Sequence, residues 1–346
     1  MRELEALVER VRREYAPEPR TAIFEVRVDL REDGFAFTGV TTEAGAADEL
    51  LRRALALVAP DAVADEVVRL PDPILGQAVW AVVRACVAPV HLAPDVRATQ
   101  TSQYVLGSRL QLLLHTGRWY RVRGEDGYIG WVNRGYLAPG DEAWAHAWES
   151  AAGGQAAVSL GAELVDEGGA VVARLPWGAR VASDGNGRCF LPDGRAAALA
   201  TGELVPVLEL RSRFPSAGEA IVASARRWLG APYLWGGVTM GGVDCSGFVQ
   251  AVNRLHGVPL PRDAELQVAV GARVQPGDDF RHLRPGDLLF FTEVPGRITH
   301  VGLSTGGAGL IHSALSNGGV AANRLTGEAE LEPALRRMFV EARRVL

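Results

Sequence analysis

The chain has 346 residues, 48% of them hydrophobic and 22% charged, with a formal net charge of −5. That length calls for two to four domains rather than one core. The acidic balance argues against a nucleic-acid partner, which would meet a basic face, and against an enzyme that must cling to an anionic wall or membrane. All 36 Lys-plus-Arg positions are Arg, so a P-loop, a lysine Schiff base and a kinase-type lysine are excluded. Cys86, Cys189 and Cys245 are far apart and show no metal spacing; an odd, unclustered set fits a reducing compartment, and no metal or cofactor is expected. The first residues are acidic and amphipathic, unlike a signal peptide, and no apolar run is long enough to span a bilayer. The expectation is a cytoplasmic protein with no membrane contact.

Residues 1–85 read as a small α/β unit. Leu4, Leu7, Val8 and Val11 fall on one helix face, residues 21–30 and 34–41 read as strands around a turn, and Leu50, Leu51, Ala54, Leu55 and Val58 mark a second helix. A third strand is expected over 64–70. Nothing in this unit looks catalytic, and its expected role is support or partner contact.

Residues 86–138 alternate short strand-like runs with Gly and Asp turns, the pattern of a small barrel. The run Gly117-Arg118-Trp119-Tyr120-Arg121-Val122, then Asp126-Gly127-Tyr128-Ile129-Gly130-Trp131-Val132, resembles a bacterial SH3-like domain. Residues 150–210 read as a second, degenerate copy: Gly107-Ser108-Arg109-Leu110 is echoed by Gly178-Ala179-Arg180-Val181, and Asp126-Gly127 by Asp193-Gly194. Residues 139–154 are expected to link the two.

Residues 215–346 read as α+β: helices over 220–229 and 245–255, then strand-like runs over 287–292, 299–304 and 309–312. Asp244 can cap the helix that begins at Cys245. A thiol in that first turn feels the positive end of the helix dipole, which favours thiolate. His300 is the candidate general base, and His312 the group that holds it in the working tautomer. An inert buried cysteine is the bland alternative for Cys245, and a satisfied core or surface side chain for each histidine. His91, His115, His146, His256 and His282 read as structural or surface residues.

Six ordered stretches carry a resemblance: residues 230–237, Asp244-Cys245-Ser246-Gly247-Phe248, Leu260-Pro261-Arg262-Asp263, residues 283–288, His300-Val301-Gly302 and Ile311-His312. Residues 220–320 resemble the NlpC-type family of papain-like cysteine peptidases, which cut peptidoglycan stem peptides. The resemblance implies a papain-like catalytic domain with Cys245 as nucleophile, His300 as base, His312 as orienter and Tyr233 near the oxyanion, with Arg262, Pro285 and Gly286 structural.

Two SH3-like barrels ahead of such a domain resemble the subgroup that recycles murein peptides. That subgroup cuts between γ-D-glutamate and the diamino acid of murein tripeptides or tetrapeptides with a free N-terminal L-Ala. The resemblance implies that Asp244, Ser246 and Tyr128 hold the substrate ammonium; barrel packing is the other reading of Tyr128. The subgroup places a Glu ahead of the Ser-Gln pair, whereas Ser102-Gln103 here follows Thr99, a departure that bears on the amine pocket. Two other readings stand beside this one: a hydrolase of intact peptidoglycan whose barrels are wall anchors, and a non-catalytic binding protein.

Overall fold

The computed structural model describes the backbone of all 346 residues and the side chains of all but residues 151–153. Helix Arg2–Tyr15 carries Glu3 and Glu5 in its first turn and Arg12 and Arg13 in its last, in accord with the helix dipole. Its buried face is Leu4, Leu7, Val8 and Val11. It packs with helix Ala44–Ala54 on a sheet of Phe24–Arg31, Gly34–Thr41 and Val63–Arg69. The first two strands form an antiparallel hairpin, and the third returns parallel to the second after the helical crossover. The second helix buries Ala46, Ala47, Leu50 and Ala54, while Leu55, expected on the apolar face, is 41% exposed because the helix stops before it.

The first barrel begins at strand Trp80–Val83, ahead of the boundary expected near 86, and closes with Leu137–Gly140. Residues 141–148 of the stretch expected as a linker are folded: Asp141 Oδ1 accepts from the Trp144 amide at 2.7 Å and caps helix Glu142–Ala147, and Ala145 and Trp148 pack on Val82. In the second barrel the long strands Gln155–Val165 and Ala196–Pro206 pair with each other. They thereby close a ring through Arg180–Ser183 and Arg188–Phe190. The echoed glycines share a left-handed backbone, φ 85° and 82° at Gly107 and Gly178 and 80° and 84° at Gly127 and Gly194. Val158, Leu160, Trp177 and Val205 of this barrel enter the same core as Trp228, Phe248 and Val252, so it buttresses the C-terminal domain.

That domain is an antiparallel six-stranded sheet in the order Ala272–Val274, Phe339–Arg344, Leu288–Phe291, His300–Gly306, Gly309–Ala314, Gly319–Arg324. Helix Cys245–Leu255 lies on it, burying Phe248, Val249, Val252 and Leu255 against Val301, Leu303 and Ile311. No helix of the described residues is long and apolar enough to cross a membrane.

Candidate active site

The site starts at a tight crossing of backbone. Asp244 caps the helix, its Oδ1 accepting the Gly247 amide at 2.7 Å and its Oδ2 the Gly236 amide at 2.9 Å. A Cβ on Gly247 would lie 2.2 Å from the Gly237 carbonyl oxygen, so only glycine lets the loop 230–237 close over the helix start. This closure places Cys245 and Tyr233 on one cleft of about 780 Å³, together with His300, His312, Asp244, Ser246 and Tyr128. Every residue singled out from the sequence as catalytic or amine-binding lines this one space.

The histidines meet across two strands. Leu303 pairs with Ile311, so His312 stands opposite Gly302 and diagonal to His300. A side chain at Gly302 would press on the His312 Cβ at 3.2 Å. His300 Nε2 lies 2.7 Å from His312 Nδ1, and His312 Nε2 lies 3.0 Å from Asn323 Oδ1. Asn317 Nδ2 donates to the same Asn323 oxygen at 3.0 Å and also lies 3.2 Å from His312 Nε2; giving that oxygen two donors assigns the His312 proton to Nε2. The proton order follows from this network. His312 donates from Nε2 to Asn323 and accepts at Nδ1 from His300 Nε2–H, leaving the His300 Nδ1 lone pair free. Asn317 and Asn323 were not legible as site residues, because only the pairing of Gly309–Ala314 with Gly319–Arg324 brings them to His312.

Burial acts on the two reacting groups against the helix dipole. Burial, then the Asp244 charge, pushes the Cys245 thiol up to about 12, against the amides of Val301 and Ser246. Burial, then His312, pushes His300 down to about 3. Desolvation thus opposes the helix dipole at the thiol and favours the neutral form of both groups. Burial, then the Cys245 charge, pushes the Tyr233 phenol up to about 12, which keeps it a hydrogen-bond donor beside the sulfur.

The proposed amine-binding residues have a partner that the sequence did not show. Arg262, 1% exposed, lies across both Asp244 oxygens at 3.0 and 2.6 Å and donates to Ser246 Oγ at 2.9 Å. Asp244 is therefore already paired with a buried guanidinium as well as lining the cleft. Arg262 also donates to Ser102 Oγ, and Gln103 Oε1 accepts the Val238 amide, so the Ser-Gln pair docks the first barrel onto the nucleophile domain. Thr99 is not among the cleft residues, whereas Thr101 is. The cleft carboxylate next to Tyr128 is Asp263: burial, then the Asp263 charge, raises the Tyr128 phenol. Asp263 was visible in the Leu260–Asp263 motif, but nothing there separated it from the structural Arg262. Among the described residues no group of three or more His, Cys, Asp or Glu is placed to hold a metal.

A model of the NlpC/P60 family matches residues 230–336, and a bacterial SH3 domain model matches residues 87–138. The C-terminal domain is an NlpC/P60 domain. The gamma-D-glutamyl-L-lysine dipeptidyl-peptidase of Bacillus subtilis (strain 168) is 40% identical over 144 residues, 40% of this chain and 46% of that protein. The protein of the same name from Bacillus cereus is 33% identical over 128 residues, 36% of this chain and 37% of that protein. The aligned stretch thus spans less than half the length of these curated relatives. A crystal structure of an NlpC/P60 family protein from Bacillus cereus superposes with a TM-score of 0.64 at 22% identity, covering 77% of this chain and 99% of that one. That likeness shows a shared fold over about three quarters of this chain.

Proposed function

We propose that this protein is a cysteine peptidase that hydrolyses the γ-D-glutamyl–diamino acid bond of murein tripeptides or tetrapeptides bearing a free N-terminal L-Ala. It releases L-Ala-γ-D-Glu in cell-wall peptide recycling. The observation that carries the reading is the relay His300, His312, Asn323 in the cleft that also holds Cys245 and whose wall is also built by Tyr128 and Thr101 of the first barrel. A barrel that lines the cleft favours short, end-recognised peptides over a barrel that serves only as an anchor. The names of the Bacillus relatives agree with this substrate class. A reducing cytoplasm is part of the reading and suits three free cysteines.

In this reading Cys245 Sγ attacks the γ-carbonyl carbon as His300 Nδ1 takes the thiol proton. The oxyanion meets the Cys245 amide and the Tyr233 hydroxyl. Collapse breaks the C–N bond, His300 returns its proton to the leaving amine, and a thioester remains. Water then attacks the thioester, its proton going to His300 and on to the departing sulfur. The L-Ala ammonium is held by the Tyr128 hydroxyl and the Asp263 carboxylate, with Asp244 and Ser246 behind them as a neutralised, hydrogen-bonded floor.

The test is mass spectrometry of products from L-Ala-γ-D-Glu-meso-diaminopimelate and its lysine counterpart, free and N-acetylated, with Cys245→Ala as control. Release of L-Ala-γ-D-Glu from free peptides alone supports the reading. Equal cleavage of both forms, or clearing of intact sacculi, moves it to a wall hydrolase. No cleavage of any peptide moves it to a binding protein.

A further inference from the structure

Residues 1–85 lie outside both matched domains, yet one of their side chains reaches the cleft. Among the cleft residues Arg20 is the one that comes from this unit. Its Nη1 donates to Asp263 Oδ2 at 3.0 Å and to Glu265 Oε2 at 2.9 Å, across more than 240 positions of sequence. From behind, Glu18 grips it twice, at Nε (2.6 Å) and Nη2 (2.7 Å). Arg297, on the loop before His300, reaches the other oxygen of Glu265.

The chain around Arg20 is anchored to the barrel beside Tyr128. The Ile129 amide donates to the Arg20 carbonyl at 2.7 Å, and Arg123 donates to the Thr21 carbonyl at 3.2 Å. Ile23 packs on Leu113 and Ile129, and Arg121 pairs with Glu25 at 2.8 Å. The backbone that delivers Arg20 is therefore bonded to the residue next to Tyr128, so both are positioned by one seam.

Charge arithmetic limits what Arg20 can do. Arg20 and Arg297 face Glu18, Asp263 and Glu265, so two positive charges meet three negative ones. One negative charge is left over, which suits a single ammonium and disfavours a further anion. Without Arg20, Asp263 and Glu265 would crowd Glu18 with only Arg297 to offset them, and a half-buried carboxylate in that position would take up a proton or turn away.

We propose that the N-terminal unit is a working part of the substrate site: Arg20 is a positioning residue that clamps the Asp263 carboxyl group at the cleft wall and thereby sets recognition of a free amino terminus. This rests on the peptidase reading above and assigns a role to residues 1–85 within it. Arg20 touches the carboxylate, not the reacting atoms.

The test compares the full-length wild-type chain, Arg20→Met, Arg20→Lys and Glu18→Gln on the free and the N-acetylated tripeptide. Arg20→Met is expected to raise KM for the free peptide by about tenfold, the scale of one charge-assisted hydrogen bond, with kcat within about twofold. Cleavage of the acetylated peptide stays at its low level, so the preference for the free form shrinks. Arg20→Lys should recover most of that preference, and Glu18→Gln should shift KM the same way by less, which covers the case in which Arg20→Met folds poorly. An unchanged or lower KM in both Arg20→Met and Glu18→Gln, or an equal loss on both peptides, would overturn the role of Arg20 while leaving the peptidase reading intact. A wild-type chain that cleaves both peptides equally would remove the reading and this inference together.

Discussion

Arg262 Nη2 stands 2.6 Å from Asp244 Oδ2, and the pair is closed off from water at the seam of the nucleophile helix and the first barrel. One guanidinium thus neutralises the helix cap, supports Ser246 and reaches Ser102. Arg262→Met leaves the Asp244 charge buried and alone, with an expected cost of about 3–5 kcal/mol. Adding Asp244→Asn, which keeps a helix-capping side chain, should recover part of it. Denaturant unfolding followed by tryptophan fluorescence measures both, and a loss under about 1 kcal/mol, typical of an exposed pair, would contradict the arrangement.

Asn323 acts on His300 at one remove, through the tautomer of His312. Asn323→Ala removes the acceptor that holds the His312 proton on Nε2. The expected result is a fall in kcat of about tenfold with KM little changed, the scale of one buried hydrogen bond. Asn323→Asp, which keeps an acceptor oxygen in place, should retain more activity. Steady-state kinetics on the free tripeptide decides it, and an altered KM alone would place Asn323 in binding instead.

A thiol pushed up to about 12 holds little thiolate at neutral pH. Cys245 in the substrate-free chain should therefore react with iodoacetamide more slowly than a free thiol of ordinary pKa, about 8.5. Rates measured against Cys245→Ala subtract Cys86 and Cys189. A rapid phase assigned to Cys245 at pH 7 would mean that the thiolate–imidazolium pair already exists before substrate arrives.

Burial lowers His256, His300 and His312 together. A lowered folded-state value means that the unfolded chain binds these protons first. Stability from the neutral rings is then fully present above about 6.5 and is lost as pH falls below it. Thermal midpoints recorded from pH 8 to pH 5 should drop across the lower half of that range. His256 contacts Ser224 and the Pro215 carbonyl away from the cleft, so His256→Gln should flatten part of the slope without touching the triad. A flat profile in the wild-type chain would refute the assignment.

The nucleophile helix was legible because its signal is local, a capping Asp just ahead of Cys245. The same holds for the face of Leu4, Leu7, Val8 and Val11, and for the two histidines in apolar strands. Leu55 misled because where a helix ends depends on what packs beyond it. The opposing pull of burial on Cys245 was not legible, because the dipole is a property of the helix whereas desolvation is a property of everything packed around it.

The sequence by itself marked the candidate reacting groups, since a thiol and two imidazoles are chemistry written in residue types and short spacings. Only the tertiary structure decided their company. Arg262 takes the Asp244 charge, Asn323 sets the proton order, and Arg20 arrives from a unit that carried no motif. These are pairings across strands and domains, made by register and docking between segments far apart in the chain, and no local spacing encodes them.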